Sequence, residues 1–295
     1  MNSILDDLKL QFRSGDIVTK LIFWNIALFA VPFIFFGILR LFNITIEFLD
    51  YVSLSSRPVD LLWKPWSFIS YTFFHAGIFH ILFNLIMLNF SGRLFLTFFT
   101  QKQLLSLYIL GSVFAGFVYI VSYMFFPSLT SINATLIGAS ASVMAILFAT
   151  VTYAPLMGIR LFLFGNVKLW HIAIVLIIID LIQLPLSNTG GHLAHLGGAF
   201  FGYIYIRQLQ SGNDIGKWLS SLIDSLSEVL SGKKKQKFRK VHRNYNRRPV
   251  ATPTSRIVTK DRTQQQLDEI LDKISQSGYD SLTKEEKEFL FRAGK

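Results

Sequence analysis

The chain has 295 residues and a formal net charge of +11, and it is 52% hydrophobic with 29 Phe and only 16% charged residues. A soluble domain of this composition would expose too much apolar surface, so the composition excludes an ordinary soluble protein and predicts that much of the chain lies in lipid. The absence of cysteine excludes disulfides, thiolate metal sites and a cysteine nucleophile.

Six apolar runs are candidates for membrane crossings, since about 20 helical residues cross a hydrocarbon layer of roughly 30 Å. In chain order they cover Thr19 to Phe42, Ile78 to Phe95, Gln103 to Phe126, Leu136 to Tyr153, Val167 to Leu186 and His192 to Ile206. The first is too long for a signal-peptide core and lacks a small-residue cleavage site, so we expect it to stay in the protein. The sequence predicts an all-α polytopic membrane domain over 19–208, after an N-terminal segment over 1–18.

Lysine and arginine indicate the orientation of these crossings. Of 29 such residues, 19 lie at or beyond Arg207, and most others fall on the same side of a six-crossing scheme. The positive-inside rule then puts both termini in the cytoplasm and the loop from Asn43 to Ser67 outside. We expect a multi-pass protein of the bacterial inner membrane. No internal repeat occurs, so the inverted-repeat signature of many secondary transporters is missing.

Beyond the last crossing the composition changes. Apolar residues recur at three- and four-residue spacing from Ile215 to Leu230, which predicts an amphipathic helix, and a basic cluster from Lys233 to Lys240 follows it. Residues 209–240 are therefore predicted to contact anionic lipid headgroups rather than nucleic acid. Residues 241–262 are a predicted linker. Residues 263–295 are a small cytoplasmic helical segment with a capping box from Thr283 to Glu286.

Polar residues cluster at the start of the second run, in the stretch HAGIFHILFN. His75, His80 and Asn84 lie there, and the four-residue step from His80 to Asn84 puts those two side chains on one helix face. In isolation, hydrogen bonds that join helices explain such a pair as well as chemistry does. Both side chains can also donate hydrogen bonds to a single point.

Small residues surround a serine at the start of the fourth run. Gly138 and Ala139 precede Ser140, and such a stretch lets backbones approach closely, which alone would explain it in most membrane helices. Ser142 is a competing hydroxyl, but two residues along a helix turn through about 200°, so the two serines cannot face the same partner. We choose Ser140 because it follows Gly138 and Ala139.

The sixth run carries a histidine beside a glycine face. His195 precedes Gly198 and Gly202, whose four-residue spacing makes a smooth surface for close packing against another helix. In the six-crossing scheme the polar residues of all three runs lie toward the outer leaflet. Four polar side chains on three helices at one depth argue against independent interhelical contacts.

These residues favour acyl transfer. Serine needs an adjacent base to be nucleophilic at neutral pH, and His195 can accept the proton of Ser140 and later return it. The developing oxyanion needs fixed donors, which His80, Asn84 and the backbone N–H of Ser140 can supply. The sequence thus indicates Ser140 and His195 as the catalytic residues.

A carboxylate and a second histidine leave alternatives open. Asp180 in the fifth run can orient His195 as a triad, or it can hold helices together through His171 or the backbone, and we favour the structural role. His192 and His195 are three residues apart and can share a helix face. With no third ligand evident and no H-E-x-x-H motif, we predict no metal site and no cofactor.

Three stretches, in this order and spacing, resemble the rhomboid family of intramembrane serine proteases over about Thr19 to Arg207. They are HAGIFHILFN in the second run, GAS from Gly138 to Ser140 in the fourth, and AHLGGAFFG from Ala194 to Gly202 in the sixth. The resemblance implies a bundle of six transmembrane helices, a Ser140–His195 dyad without an essential carboxylate, and a substrate helix unwound between crossings.

The resemblance also implies residue roles around the dyad. The oxyanion site would comprise the Ser140 backbone, His80 and Asn84, and His75 would help to shape it. The chain departs from the family at two places. The first outer loop has Trp66 followed by serine where the family often has Trp-Arg, and Ala141 and Met144 stand where it often has glycine and an aromatic residue.

Three functions therefore compete. The preferred one is an intramembrane endopeptidase that cuts single-pass membrane proteins near the outer leaflet without a cofactor. The second is a proteolytically silent relative that binds membrane helices, against which the intact set of polar residues speaks. The third is a transporter or channel, which the missing repeat and the clustering of polar residues at one depth disfavour.

Overall fold

The computed structural model describes residues 3–161, 165–231 and 258–293, and the chain forms two compact units, Met1–Lys234 and Lys235–Lys295. The helices of the first unit are α1 (Ile4–Ser14), α2 (Ile17–Leu41), α3 (Leu49–Val52), α4 (Ser67–Ser70), α5 (Ile78–Leu96), α6 (Gln101–Phe125), α7 (Ser140–Tyr153), α8 (Leu169–Gln183), α9 (Thr189–Gln210) and α10 (Lys217–Ser231). Its strands are β1 (Leu54–Ser55), β2 (Thr135–Leu136), β3 (Gly158–Leu161) and β4 (Gly165–Lys168), and single 3₁₀ turns span Pro58–Leu62 and Tyr71–Phe73. The second unit holds α11 (Val258–Ser277), α12 (Lys284–Ala293) and a 3₁₀ turn over Tyr279–Ser281.

A helix lies in each of the six predicted apolar runs. Within the described residues, α2, α5 and α6 are long and apolar enough to cross a membrane, and α7 and α8 are shorter apolar helices. Helix α9 has 22 residues but carries histidines and several glycines. The first unit is therefore an integral membrane domain built from helices, as the composition predicts.

The predicted starts of the last three runs are wrong by two to four residues. Leu136 is not helical, because Leu54 and Ser55 pair antiparallel with Leu136 and Thr135, and α7 begins only at Ser140. Val167 belongs to the β3–β4 hairpin that precedes α8. Helix α9 begins earlier than predicted, at Thr189, because its first turn consists of polar and glycine residues that an apolar run does not reveal.

Helix α7 lies at the centre of the first unit, with α5, α6 and α9 packed around it. Its contact with α9 is close enough that a Cβ on Gly198 would meet the carbonyl oxygen of Ala141, and a Cβ on Gly202 would meet that of Ala145. The smooth face predicted from the glycine spacing thus lies against the helix that begins with Ser140. Backbones approach this closely only where side chains are small.

Helix α10 is amphipathic, as predicted. Its inner side packs on α6, where the hydroxyls of Ser220 and Ser106 are 2.9 Å apart, and Asp224 pairs with Lys102 at 2.6 Å. Its other side exposes apolar residues one turn apart, among them Trp218 and Leu222. The predicted basic cluster from Lys233 to Lys240 lies outside the described residues.

The second unit contains a pair of helices. Ile270 of α11 and Leu282 before α12 are buried in it. The backbone N–H of Thr283 donates to Glu286 at 2.7 Å and the N–H of Glu286 donates to the Thr283 hydroxyl at 3.3 Å, which confirms the capping box. The linker predicted over 241–262 is too long at its end, since α11 begins at Val258.

We expect Gly198→Ala to lower the free energy of unfolding by about 1–3 kcal/mol, because the added methyl group is forced against the α7 backbone. Gly37→Ala is the matched control, since a Cβ at Gly37 in α2 meets nothing within 4 Å. That control should leave the midpoint of thermal unfolding in detergent unchanged or slightly raised, because alanine favours helix. Equal midpoints for the two variants would contradict the close packing of α7 on α9.

Candidate active site

Ser140 is the first residue of α7, and the turn before it is held from several directions. The N–H of Gly138 donates to the carbonyl of Tyr71 at 2.9 Å, and the N–H of Ala139 donates to Nε2 of His75 at 3.4 Å. Ala139 lies at the N-cap position of α7, and its side chain has no group that could accept a hydrogen bond from the first turn. The N–H groups of the first turn, including that of Ser140, therefore lack partners within the helix and point out of its end.

Gly138 has φ +119°, a conformation that residues with a side chain rarely adopt. A Cβ at this position would also lie 2.7 Å from the Cε1 and Nε2 atoms of His80. The ring of His80 is therefore packed directly against the backbone just before Ser140. Glycine is required here both for the conformation of the turn and for the approach of the histidine.

Ser140 and His195 meet across the packed helices α7 and α9. The Oγ atom of Ser140 lies 2.7 Å from Nε2 of His195, within hydrogen-bond distance. The close contacts of Gly198 and Gly202 with α7 bring the two side chains together. The pair that the sequence indicates as catalytic is thus assembled between the first turn of one helix and the second turn of the other.

Asp180 reaches this pair from α8. Its Oδ1 atom lies 2.9 Å from Nδ1 of His195 and 2.7 Å from Nδ1 of His192. The contact with His195 is the alternative that the sequence left open, and His192 replaces His171 or the backbone as the second partner. The bonds join α8 to α9, and they also orient His195: a neutral imidazole that donates Nδ1–H to a carboxylate keeps Nε2 free to accept a proton.

Ser142 faces away from the pair, as its place two residues along the helix predicts. It is fully buried, its hydroxyl donates to the carbonyl of Tyr108 at 2.8 Å, and its Oγ lies 3.0 Å from the hydroxyl of Thr72. Ser142 therefore joins α7 to neighbouring elements and does not contact His195.

His80 and Asn84 lie one turn apart on α5, and they approach Ser140 differently. The amide nitrogen of Asn84 donates to the carbonyl of His80 at 2.8 Å, and the side chain borders the same cavity as Ser140 and His195. His75 lies before α5, outside the run that was predicted to begin at Ile78. Its buried ring nevertheless meets the ring of His80 edge-on, with centroids 5.1 Å apart.

A cavity of about 260 Å³ opens beside Ser140. Helices α5, α7, α8 and α9 form its walls, and its lining is mostly apolar, with Asn84, Ser140, Asp180 and the two histidines as the polar residues. The lining residues are Phe83, Asn84, Met87, Ser140, Val143, Met144, Leu176, Ile179, Asp180, His192 and His195. Met144, at the position where the family often has an aromatic residue, is one of these lining residues.

The loop between α2 and α5 is held by bonds of its own rather than by an arginine after Trp66. The indole of Trp66 donates to the carbonyl of Tyr51 at 2.8 Å, and the ammonium of Lys64 donates to the carbonyl of Asp50 at 2.7 Å. These hydrogen bonds connect parts of the loop to one another although serine replaces the arginine that often follows the tryptophan in the family.

The structure adds a metal-ligand group that the sequence does not indicate. Asp180, His192 and His195 each offer one ligand atom, and these atoms all lie within 4.8 Å of one another. The histidine spacing was visible in the sequence, but the third ligand comes from α8, and apolar periodicity does not reveal which residue of α8 faces α9. Asp180 is thus a possible third ligand that was not evident from the sequence.

Comparison with known families agrees with this arrangement. Residues 62–211, just over half of the chain, match the model of the Rhomboid domain, and the chain therefore belongs to the rhomboid family. Residues 258–293, which contain α11 and α12, match a family of unknown function, DUF6576. The chain is also similar to the presenilin-associated rhomboid-like protein A, mitochondrial, of Danio rerio, with 32% identity over 138 residues. That match covers 46% of this chain and 35% of the relative's length.

We expect Gly138→Ala to destabilise the protein by about 1–3 kcal/mol through the positive φ, and by more through the clash with His80. Gly212→Ala is a control for conformation alone, because Gly212 has φ +84° and a Cβ there meets nothing within 4 Å. Thermal unfolding in detergent measures both changes. In a His80→Ala background the effect of Gly138→Ala should shrink, and an undiminished effect would show that the ring does not contact this turn.

Proposed function

We propose that this rhomboid is an intramembrane serine endopeptidase that cuts transmembrane segments of single-pass membrane proteins without a cofactor. The observation that carries the proposal is the 2.7 Å contact between Ser140 Oγ and His195 Nε2. A hydroxyl bonded to an imidazole that is itself oriented by a further group is the arrangement of an activated serine nucleophile.

In the proposed reaction, Ser140 Oγ attacks the carbonyl carbon of the scissile bond and its proton passes to His195 Nε2. The resulting oxyanion is stabilised by the N–H of Ser140 at the start of α7 and by donors from His80 and Asn84. His195 then protonates the leaving amine, which departs and leaves an acyl group on Ser140. Water, deprotonated by His195, hydrolyses that ester and restores the serine.

Asp180 is proposed to position His195. Its carboxylate accepts a hydrogen bond from Nδ1 and so favours the ring form whose Nε2 is a base. The negative charge also stabilises the imidazolium formed during attack. The chain would thus work with a serine, histidine and aspartate rather than with the dyad that the family resemblance implies.

The proposed placement in the membrane has six crossings, by α2 and α5 to α9, with both termini in the cytoplasm of a bacterial cell and the membrane domain in its inner membrane. The 14 residues of α7 rise about 21 Å, less than a hydrocarbon layer of roughly 30 Å. Ser140 then lies below the outer surface. Helices α5 and α8 both line the cavity, which supports entry of a substrate between them.

Substrates would be transmembrane segments that unwind locally, because a peptide bond inside an intact helix is shielded from attack. The basic cluster from Lys233 to Lys240 is proposed to contact anionic lipid, which the amphipathic α10 directly before it supports. Binding of an isolated tail fragment to anionic liposomes at low salt that is unchanged when Lys233 to Lys240 are neutralised would contradict this contact.

The test of the function is cleavage of a labelled single-pass substrate in proteoliposomes. We expect cleavage by the unmodified chain, its loss by a factor of at least about 10³ in Ser140→Ala and His195→Ala, and its retention in Ser142→Ala. Loss of cleavage in Ser142→Ala alone would show that Ser140 is not the nucleophile. Absence of cleavage by every folded variant, across several substrates, would favour a silent relative that binds membrane helices.

We expect Asp180→Asn to lower kcat at least about tenfold with little change in KM, because the amide preserves shape but removes the charge that favours the reactive form of His195. His171→Ala, on the same helix, is the control and should cleave at the normal rate. A normal kcat in Asp180→Asn, with unchanged thermal stability, would show that Ser140 and His195 act as a dyad without Asp180.

A further inference from the structure

We propose that Asp180, His192 and His195 form a binding site for a zinc-type divalent ion, and that its occupancy switches the Ser140–His195 pair off. The binding site follows from the geometry of the three side chains alone. The switch rests on the proposed protease function.

The three side chains are already gathered around one point. His192 and His195 lie one turn apart on α9, with ring centroids 5.7 Å apart and planes nearly perpendicular. Both turn Nδ1 toward Oδ1 of Asp180 on α8, at 2.7 and 2.9 Å. The three ligand atoms all lie within 4.8 Å of one another. Ligand atoms around a tetrahedral zinc ion with bonds of about 2.0–2.2 Å lie roughly 3.3–3.6 Å apart, so their separations would have to change by about 0.5–1.5 Å to admit the ion.

The surroundings favour an ion. The Asp180 side chain is 7% exposed, and those of His192 and His195 are 13% and 23% exposed. Asp180 belongs to a helix distinct from that of the histidines, so the group is mostly shielded and is supported by two packed elements. All three side chains border the cavity beside Ser140. One carboxylate with two neutral imidazoles leaves a net charge of +1 on a bound divalent ion, which is lower than the bare ion carries.

The ligand set selects the kind of metal. Two imidazole nitrogens and one carboxylate oxygen form a common protein site for zinc, with a fourth position left for water. Magnesium and calcium prefer sites made entirely of oxygen, so they should bind here poorly. The ligand set therefore indicates a divalent transition-metal ion of intermediate softness, such as zinc.

Metal binding and catalysis require opposite forms of His195. In the catalytic arrangement Nδ1 carries a proton, donated to Asp180, and Nε2 has the lone pair that accepts the serine proton. A metal on Nδ1 takes that lone-pair position, so a neutral ring must carry its proton on Nε2. The Nδ1 proton is released to solvent as the metal binds and Nε2 takes up a proton, so the Nδ1–H hydrogen bond to Asp180 is replaced by bonds from both groups to the metal. The hydrogen bond to Ser140 is then reversed, with His195 as the donor, and the base is lost.

Cobalt tests the site without any use of activity. Full-length Ser140→Ala protein, purified in detergent with no polyhistidine tag, is titrated with Co²⁺, whose visible bands report a site of nitrogen and oxygen ligands. We expect bands that saturate at one ion per chain, that zinc abolishes and that magnesium leaves unchanged.

The histidine variants decide which residues bind the ion. His192→Gln, which keeps a hydrogen-bond donor toward Asp180, should weaken cobalt binding at least tenfold, and so should His192→Ala. The control His171→Ala should bind as tightly as the parent, since that residue is not in the metal-ligand group. No bands, or bands indifferent to both changes at His192, would overturn the site.

Zinc tests the switch in the proteoliposome cleavage assay. We expect at least a tenfold loss of rate at the concentration that saturates binding, with full recovery on chelation and no effect of magnesium. In His192→Gln the same relative inhibition, taken against its own metal-free rate, should require at least tenfold more zinc. Binding without inhibition would overturn the switch, whereas cobalt binding by a chain that cleaves nothing would contradict the protease and support the site.

Discussion

The backbone contact between α7 and α9 sets the distance on which the proposed chemistry depends. Gly198 and Gly202 carry no Cβ, so α9 lies against the carbonyls of Ala141 and Ala145. A methyl group at either glycine would push the helices apart, and a hydrogen bond of 2.7 Å between side chains of the two helices would be lost. In lipid this packing is stabilised by van der Waals contact rather than by the hydrophobic effect, which makes its fit decisive.

The polar groups of the site compensate one another where water is scarce. A buried carboxylate is costly unless it is bonded, and Asp180 accepts from two histidines. The turn before Ser140 is likewise bonded to Tyr71 and His75 while the first N–H groups of α7 stay open. The donors that an oxyanion would need are therefore those the helix itself cannot satisfy.

Much of this arrangement could be predicted from sequence, because apolar length and helical angle are local properties. The bounds of α2, α5 and α6 were predicted to within two residues. The place of Ser140 after Gly138 and Ala139 indicated the serine that contacts His195, and the angle of about 200° correctly predicted that Ser142 faces elsewhere. The start of α7 was missed because Leu54 pairs with Leu136, a contact between distant parts of the chain. The contact of Asp180 with His195 was left open as an alternative, and its contact with His192 was missed because apolar periodicity does not say which face of α8 meets α9.

Covalent labelling of the nucleophile tests whether His195 activates Ser140. The full-length protein in detergent is treated with a fluorophosphonate, which reacts with activated serine hydroxyls, and the modified peptide is identified by mass spectrometry. We expect a label on Ser140 alone. This label should disappear in His195→Ala and persist in His171→Ala. A label on Ser142, or labelling of Ser140 that is unchanged in His195→Ala, would contradict activation of Ser140 by His195.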